Sequence, residues 1–313
     1  MPTPGAEGQI LLMGHGSRDL DGAREFVALV DAVREAAGPT PVEAGFLEFA
    51  GPVISSIQAA FDRCAQRRQP VLAVPVLLFQ AGHGNADMPE QIAAAKRRHP
   101  GLDVRFKPIL GTDPTLLGII EERILEAQAE LPAIDPEQVA VLLVARGTTD
   151  ADANAEFFKI GRLLWERNHY GSVECAFSSL AWPDVPAGID RCIRLGARRV
   201  IIAPYFMNTG VLVKRISELA GLARLRYGEA DVIVADHMGV HPALVSLILE
   251  RANDALSEGP ASPVRAAKQW RYQGGDAAPH DHDHHDHDHD HLEGHAHDDS
   301  GILAGEPSRQ EQR

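Results

Sequence analysis

LLMGHGSRDLDGAREF (residues 11–26) and VLLVARGTTDADANAEFF (141–158) are two versions of one segment. Setting His15 against Arg146 pairs Gly16 with Gly147, Asp19 with Asp150 and Asp21 with Asp152, then Glu25 with Glu156 and Phe26 with Phe157. The same shift pairs Glu43 with Glu174, Phe46 with Phe177 and Pro52 with Pro183. At a slightly smaller offset PVLLFQAG (75–82) answers PYFMNTG (204–210), and GTDPTLLGIIEER (111–123) answers GVHPALVSLILER (239–251). Matches this many, in one order, define a tandem repeat. Its halves are 1–130 and 138–257, and LPAIDPEQ (131–138) reads as the connection between them.

Each half alternates strand-length apolar runs with stretches of helical spacing. The runs are QILLMG, VEAGFL and VLAVPVLLF in the first half, and AVLLVA, SVECAFSSL and VIIAPYFM in the second. Short apolar strands separated by helices imply parallel sheets covered on both faces. The expected fold is therefore α/β, with two homologous lobes. Ligands of such sheets bind beyond the carboxyl ends of the strands, so the polar residues there are the ones to inspect.

Three strand ends of the first half carry such residues. QILLMG runs into GHGSRD, which places His15 and Ser17 in a Gly-flanked turn; VEAGFL runs into Glu48; VLAVPVLLF runs on to His83 within GHGNAD. On neighbouring strands, two imidazoles and a carboxylate would converge at one edge. That set suits a borderline divalent metal such as Co²⁺, Ni²⁺, Fe²⁺ or Zn²⁺, and equally suits general-base work near neutral pH. The repeat is an internal control: the positions answering His15, Glu48 and His83 are Arg146, Ser179 and approximately Val211, while scaffold positions are kept. The residues are expected to serve chemistry and not folding.

Composition narrows the function classes. The 313 residues carry a net charge of −14 and only 5% aromatics, the wrong sign and the wrong side chains for a nucleic-acid surface. No apolar run approaches the roughly 20 residues of a membrane span, and MPTPGAEGQ lacks a secretory n-region and h-region. Three cysteines, Cys64, Cys175 and Cys192, form no CxxC pair. A cytoplasmic location is expected. Half of the net charge lies in 258–313, together with nine of the fifteen histidines: His280, His282, His284, His285, His287, His289, His291, His295 and His297. This stretch has almost nothing apolar to bury and is expected to be a disordered tail. Alternating His and Asp reads as a metal store or delivery arm, with a merely solubilising acidic tail as the alternative.

LLMGHGSR, the strand ending FLEF, and VPVLLFQAGHGNADMP together resemble the CbiX-type class II tetrapyrrole chelatases, in their long duplicated form with a His-rich tail. The resemblance runs over nearly all of 8–250. It implies two chelatase-like lobes facing each other across a cleft, and insertion of Co²⁺ into sirohydrochlorin in cobalamin biosynthesis. It further implies His15 as proton acceptor and metal ligand, His83 as second ligand, and Glu48 as a helper near metal or macrocycle. Ser17, Arg18, Phe79, Gln80, Ala81 and Gly82 in the motif loops, with Arg146 and Lys214 in the second half, become the expected substrate contacts. The substrate is a polycarboxylate, which suits basic partners. The resemblance makes sirohydrochlorin and a divalent metal the partners, with neighbouring cobalamin-pathway enzymes beside them. Some long relatives carry a C-terminal cysteine motif for an iron–sulfur cluster; no cysteine follows Cys192 here, so no cluster is expected. Gly84-Asn85 stand where many relatives have bulkier residues, so the substrate wall is expected to differ. Iron or nickel chelation by the same residues, and a non-catalytic metallochaperone or metal store, are the competing readings.

Overall fold

A computed structural model describes residues 8–49, 51–79 and 84–254 of the chain. The first repeat contains β1 (Gln9–Gly14), α1 (Leu20–Ala37), β2 (Val42–Phe46), α2 (Ile57–Arg67), β3 (Val71–Pro75), α3 (Gly84–Arg98), β4 (Val104–Phe106) and α4 (Pro114–Gln128). The second contains β5 (Val139–Ala145), α5 (Ala151–Arg167), β6 (Ser172–Phe177), α6 (Val185–Arg194), β7 (Arg199–Pro204), α7 (Val211–Arg226), β8 (Asp231–Val234) and α8 (Pro242–Asn253). All pairings are parallel, in the orders β2-β1-β3-β4 and β6-β5-β7-β8. The two orders are one topology used twice. The fourth strand of each sheet extends the three apolar runs read from the sequence.

Start signals repeat along with the strands. Asp19 and Asp150 cap α1 and α5 by accepting backbone N–H groups, and Asp113 caps α4. At the matching start of α8, the imidazole of His241 accepts from the N–H of Ala243. Proline follows at the first helical position in both α4 and α8, where its missing N–H costs nothing.

The last helix of each repeat leaves its own sheet and packs on the other. α4 lies against β7, β8 and α5, while α8 lies against β3 and α1. Contacts pin the exchange at both ends: an ion pair from Arg251 of α8 to Asp113 at the start of α4 (2.7 Å), and a hydrogen bond from Nε2 of His241 at the start of α8 to Glu122 of α4 (3.0 Å). The buried Lys107, just past β4, donates to the carbonyl of Asp254 at 2.6 Å, holding the far end of α8 on the first sheet. One apolar core therefore runs through both repeats, from Ile10 and Leu12 through Leu117, Leu143 and Phe157 to Leu247 and Ile248. Each such side chain contributes about 1.5–3 kcal/mol by leaving water. Two outer cores lie under α2 and α3 on one side and under α6 and α7 on the other. Cys64, Cys175 and Cys192 are free, buried in these layers, and burial pushes each thiol up to about 12. Such thiols are inert packing groups. Among the described residues, no helix is long and apolar enough to cross a membrane.

Candidate functional site

Register brings the marked residues of the first repeat to one sheet edge. β1 lies between β2 and β3, with Gly14 opposite Phe46 and Met13 opposite Pro75. Beyond β2 the pairing continues, with the N–H of Leu47 bonded to the carbonyl of Gly14 and the N–H of Glu48 to the carbonyl of His15, both at 2.9 Å. His15 is half-buried and Glu48 exposed, side by side on adjacent loops. His83, which follows β3 in the chain, lies outside the described residues together with Gln80, Ala81 and Gly82. Among the described residues, no group of three or more His, Cys, Asp or Glu side chains is placed to hold a metal ion.

Gly16 makes the approach of these loops possible. Its φ is +111°, and a Cβ built there would stand 1.9 Å from the carbonyl oxygen of Glu48. A side chain is excluded by conformation and by contact alike. The second repeat keeps the device: Ser179 donates its N–H to the carbonyl of Arg146 at 2.9 Å. Gly147 has φ +82°, and a Cβ on it would lie 2.4 Å from the oxygen of Ser179. Phe49 and Leu180, at matching positions, share the left-handed region with φ of 50° and 53°. The backbone of the site is thus duplicated while its side chains are not: His15 and Glu48 face one loop pair, Arg146 and Ser179 the other.

The remaining expected contacts divide. The Arg18 guanidinium is exposed and lies 4.5 Å over the ring of Phe49, so loop β1–α1 and loop β2–α2 present a cation and an aromatic face together. Arg146 is exposed and forms no ion pair among the described residues. Ser17 is occupied inside its own turn: its hydroxyl bonds both the N–H and the carbonyl of Asp19 at 3.1 Å. Thr148 accepts from Asp150 in the same way in the second repeat, which marks the hydroxyl as scaffold. Lys214 reaches across from α7 to Asp19 (2.8 Å) and Asp21 (2.7 Å). Its ammonium sits at the first repeat's edge but is already shared by two carboxylates, and these contacts hold it well above the usual lysine range and Asp19 below the carboxylate range. Phe79 packs between the repeats, against Tyr205 at 5.8 Å and edge-on to Phe157 at 6.2 Å.

Phe49, Glu25 and His237 were not read as site residues from the sequence. Phe49 is the last residue of the FLEF motif, in the loop just beyond β2, and is 41% exposed, a signal that the quoted motif already contained. Glu25 matched Glu156 in the repeat and so looked like scaffold.

Comparison with known proteins places this geometry. The CbiX family matches residues 9–127 and again 140–255. A sirohydrochlorin cobaltochelatase of Priestia megaterium is 37% identical over 251 residues, 79% of this chain and 79% of that protein. A sirohydrochlorin ferrochelatase of the same organism is 29% identical over 249 residues, 79% of this chain and 90% of its own length. Among solved structures, SirB from Bacillus subtilis with Fe³⁺ superposes with a TM-score of 0.65 at 25% identity, covering 78% of this chain and 93% of that one.

Proposed function

This chain belongs to the CbiX family, and from that premise we propose that it is a metal chelatase inserting Co²⁺ into sirohydrochlorin. The observation that carries the site assignment is the asymmetry of the duplicated loops. Both repeats build the same turn around a positive-φ glycine, yet only the first arms it with His15 and Glu48. In this reading 1–130 is the lobe that carries the chemistry, 138–257 is the facing lobe across a cleft, and 258–313 is a metal-binding tail. The protein works in the cytoplasm.

Insertion exchanges two pyrrole protons for one divalent cation. In this reading the imidazole of His15 accepts a proton and holds the incoming metal, with His83 as second ligand. Glu48, exposed one loop away, relays protons to solvent. A metal held by few protein groups keeps open positions and can be passed on. Arg18 and Arg146 are the exposed cations available to the substrate carboxylates. Ser17 and Phe79 shape the loops, Gln80, Ala81 and Gly82 are further substrate contacts in this reading, and Lys214 contributes positive charge at the same edge.

Cobalt is favoured by the 37% identical relative, while the 29% identical ferrochelatase supports iron as the second reading. Imidazole and carboxylate accept either ion. Initial rates with Co²⁺, Fe²⁺ and Ni²⁺ at matched free concentrations decide between them: the cobalt rate is expected to lead, and a leading iron rate would reassign the substrate. Glu48→Gln should slow insertion less than loss of a histidine, because water can partly replace a carboxylate relay. A loss equal to that of the histidine variants would make Glu48 the principal base.

Removing residues 260–313 should leave turnover at saturating metal unchanged and lower it when metal is scarce. A tethered set of weak His/Asp ligands raises the local metal concentration without altering the site. Equilibrium dialysis should find several fewer Co²⁺ per truncated chain, with the difference fading below about pH 6 as imidazoles protonate. Unchanged stoichiometry would leave only a solubilising tail.

A further inference from the structure

We propose that Glu25 is a positioning residue for the site, strapping the second repeat's 205–211 segment onto the helix that follows His15. The proposal rests on the reading of His15 as the working residue. Glu25 lies on the second turn of α1, and its two carboxylate oxygens stand 2.8 and 2.9 Å from Nε2 of His237, in the loop between β8 and α8. Oε2 also accepts the backbone N–H of Thr209, in the loop between β7 and α7. Both side chains are largely enclosed, Glu25 at 22% and His237 at 16% exposure. One carboxylate thereby holds two loops from the carboxyl edge of the second sheet against the carboxyl edge of the first.

Two neighbouring contacts reinforce it. Lys214 bridges to Asp19 and Asp21 on the same helix start. Gly22, one turn before Glu25, lets the carbonyl of Thr209 come in close: a Cβ there would stand 2.6 Å from that oxygen. The titratable and charged groups facing Glu25 are His237 and Arg123, the latter reaching over from α4 to bond the carbonyl of Met238 at 3.0 Å. Burial alone would raise the Glu25 carboxyl; the hydrogen bonds from His237 and Thr209 and the charges of His237 and Arg123 outweigh it and hold the group below its usual range.

The matching helix of the second repeat lacks the arrangement. Ala153 replaces Gly22, and Glu156, in the place of Glu25, pairs with Lys159 of its own helix at 3.7 Å. Repeating the fold did not require repeating the strap. It is built only on the helix that His15 introduces. What it fixes there is the segment ending at Val211, the position answering His83, whose apolar side chain is 63% exposed. Such a segment is suited to be a wall of the tetrapyrrole site.

Glu25→Ala should raise the KM for sirohydrochlorin about tenfold, which is about 1.4 kcal/mol of binding, with the KM for metal unchanged. Glu25→Gln, whose amide oxygen still accepts from Thr209, should recover most of the loss. Gly22→Ala provides a variant that does not weaken the helix, since alanine is the better helix former; it should displace Thr209 and raise the same KM. Glu156→Ala should leave it unchanged. A purely structural Glu25 would lower the melting temperature with an unaltered KM, and that result overturns the proposal, as does an equal rise from Glu156→Ala. A wild-type protein without any insertion activity would refute the function itself, a different outcome from an active enzyme indifferent to Glu25.

Discussion

Replacing His15 with alanine is expected to lower the initial rate of metal insertion about a hundredfold or more, the scale on which a positioned proton acceptor contributes. The loss should appear in turnover as well as in apparent metal affinity, because the same imidazole is assigned both duties. Folding should be unaffected. His15 makes its structural contact through its backbone carbonyl, which accepts from Glu48 whatever the side chain, and Arg146 occupies the same backbone in the second repeat. His83→Ala is expected to behave alike. The measurement is the initial rate of the tetrapyrrole absorbance change, set beside a melting curve for each variant. Rates within about twofold of wild type for both variants would remove the histidines from the site.

Gly16→Ala is expected to produce the second large effect, by another route. The substitution forces an L side chain into a φ of +111° and drives its Cβ into the Glu48 carbonyl. Backbone strain of this kind costs about 1–3 kcal/mol, and relieving it must separate the loops that carry His15 and Glu48. Both stability and activity should fall. Gly147→Ala meets the same obstruction at Ser179 in the other repeat, so it should lose comparable stability while keeping far more of the activity per folded molecule. Denaturant titration and rates on the folded fraction separate the two consequences. Equal activity losses for the two glycine variants would mean that both loop pairs serve the chemistry.

Much of this was legible in the sequence because duplication doubles every signal. The glycine after His15 recurs after Arg146, and the structure shows why: the same close approach occurs twice. The meeting of the His15 and Glu48 loops was conditional in the sequence, since strand order left no mark there; the register of β1 against β2 supplies it. Strands β4 and β8 escaped because VRF and DVIV are only three and four residues long, too short for a periodicity to register. The exchange of α4 and α8 left no trace at all. An amphipathic helix shows the same pattern whichever sheet it covers, so only the folded chain reveals that Leu247 belongs over the first sheet. Side-chain commitments were equally hidden. Nothing in the spacing distinguishes Lys214, shared by Asp19 and Asp21, from Arg146, which stands open.

The central claim is that this chain catalyses insertion of a divalent metal into sirohydrochlorin from the His15 edge of its first repeat. The most direct measurement mixes purified full-length protein with sirohydrochlorin and Co²⁺ under anaerobic conditions and follows the absorption spectrum against a protein-free control. The account expects conversion to the metallated spectrum well above the uncatalysed rate with wild type, and near the uncatalysed rate with His15→Ala. Conversion no faster than the control, with Co²⁺, Fe²⁺ and Ni²⁺ alike, would contradict it and leave a metal-binding protein without catalysis.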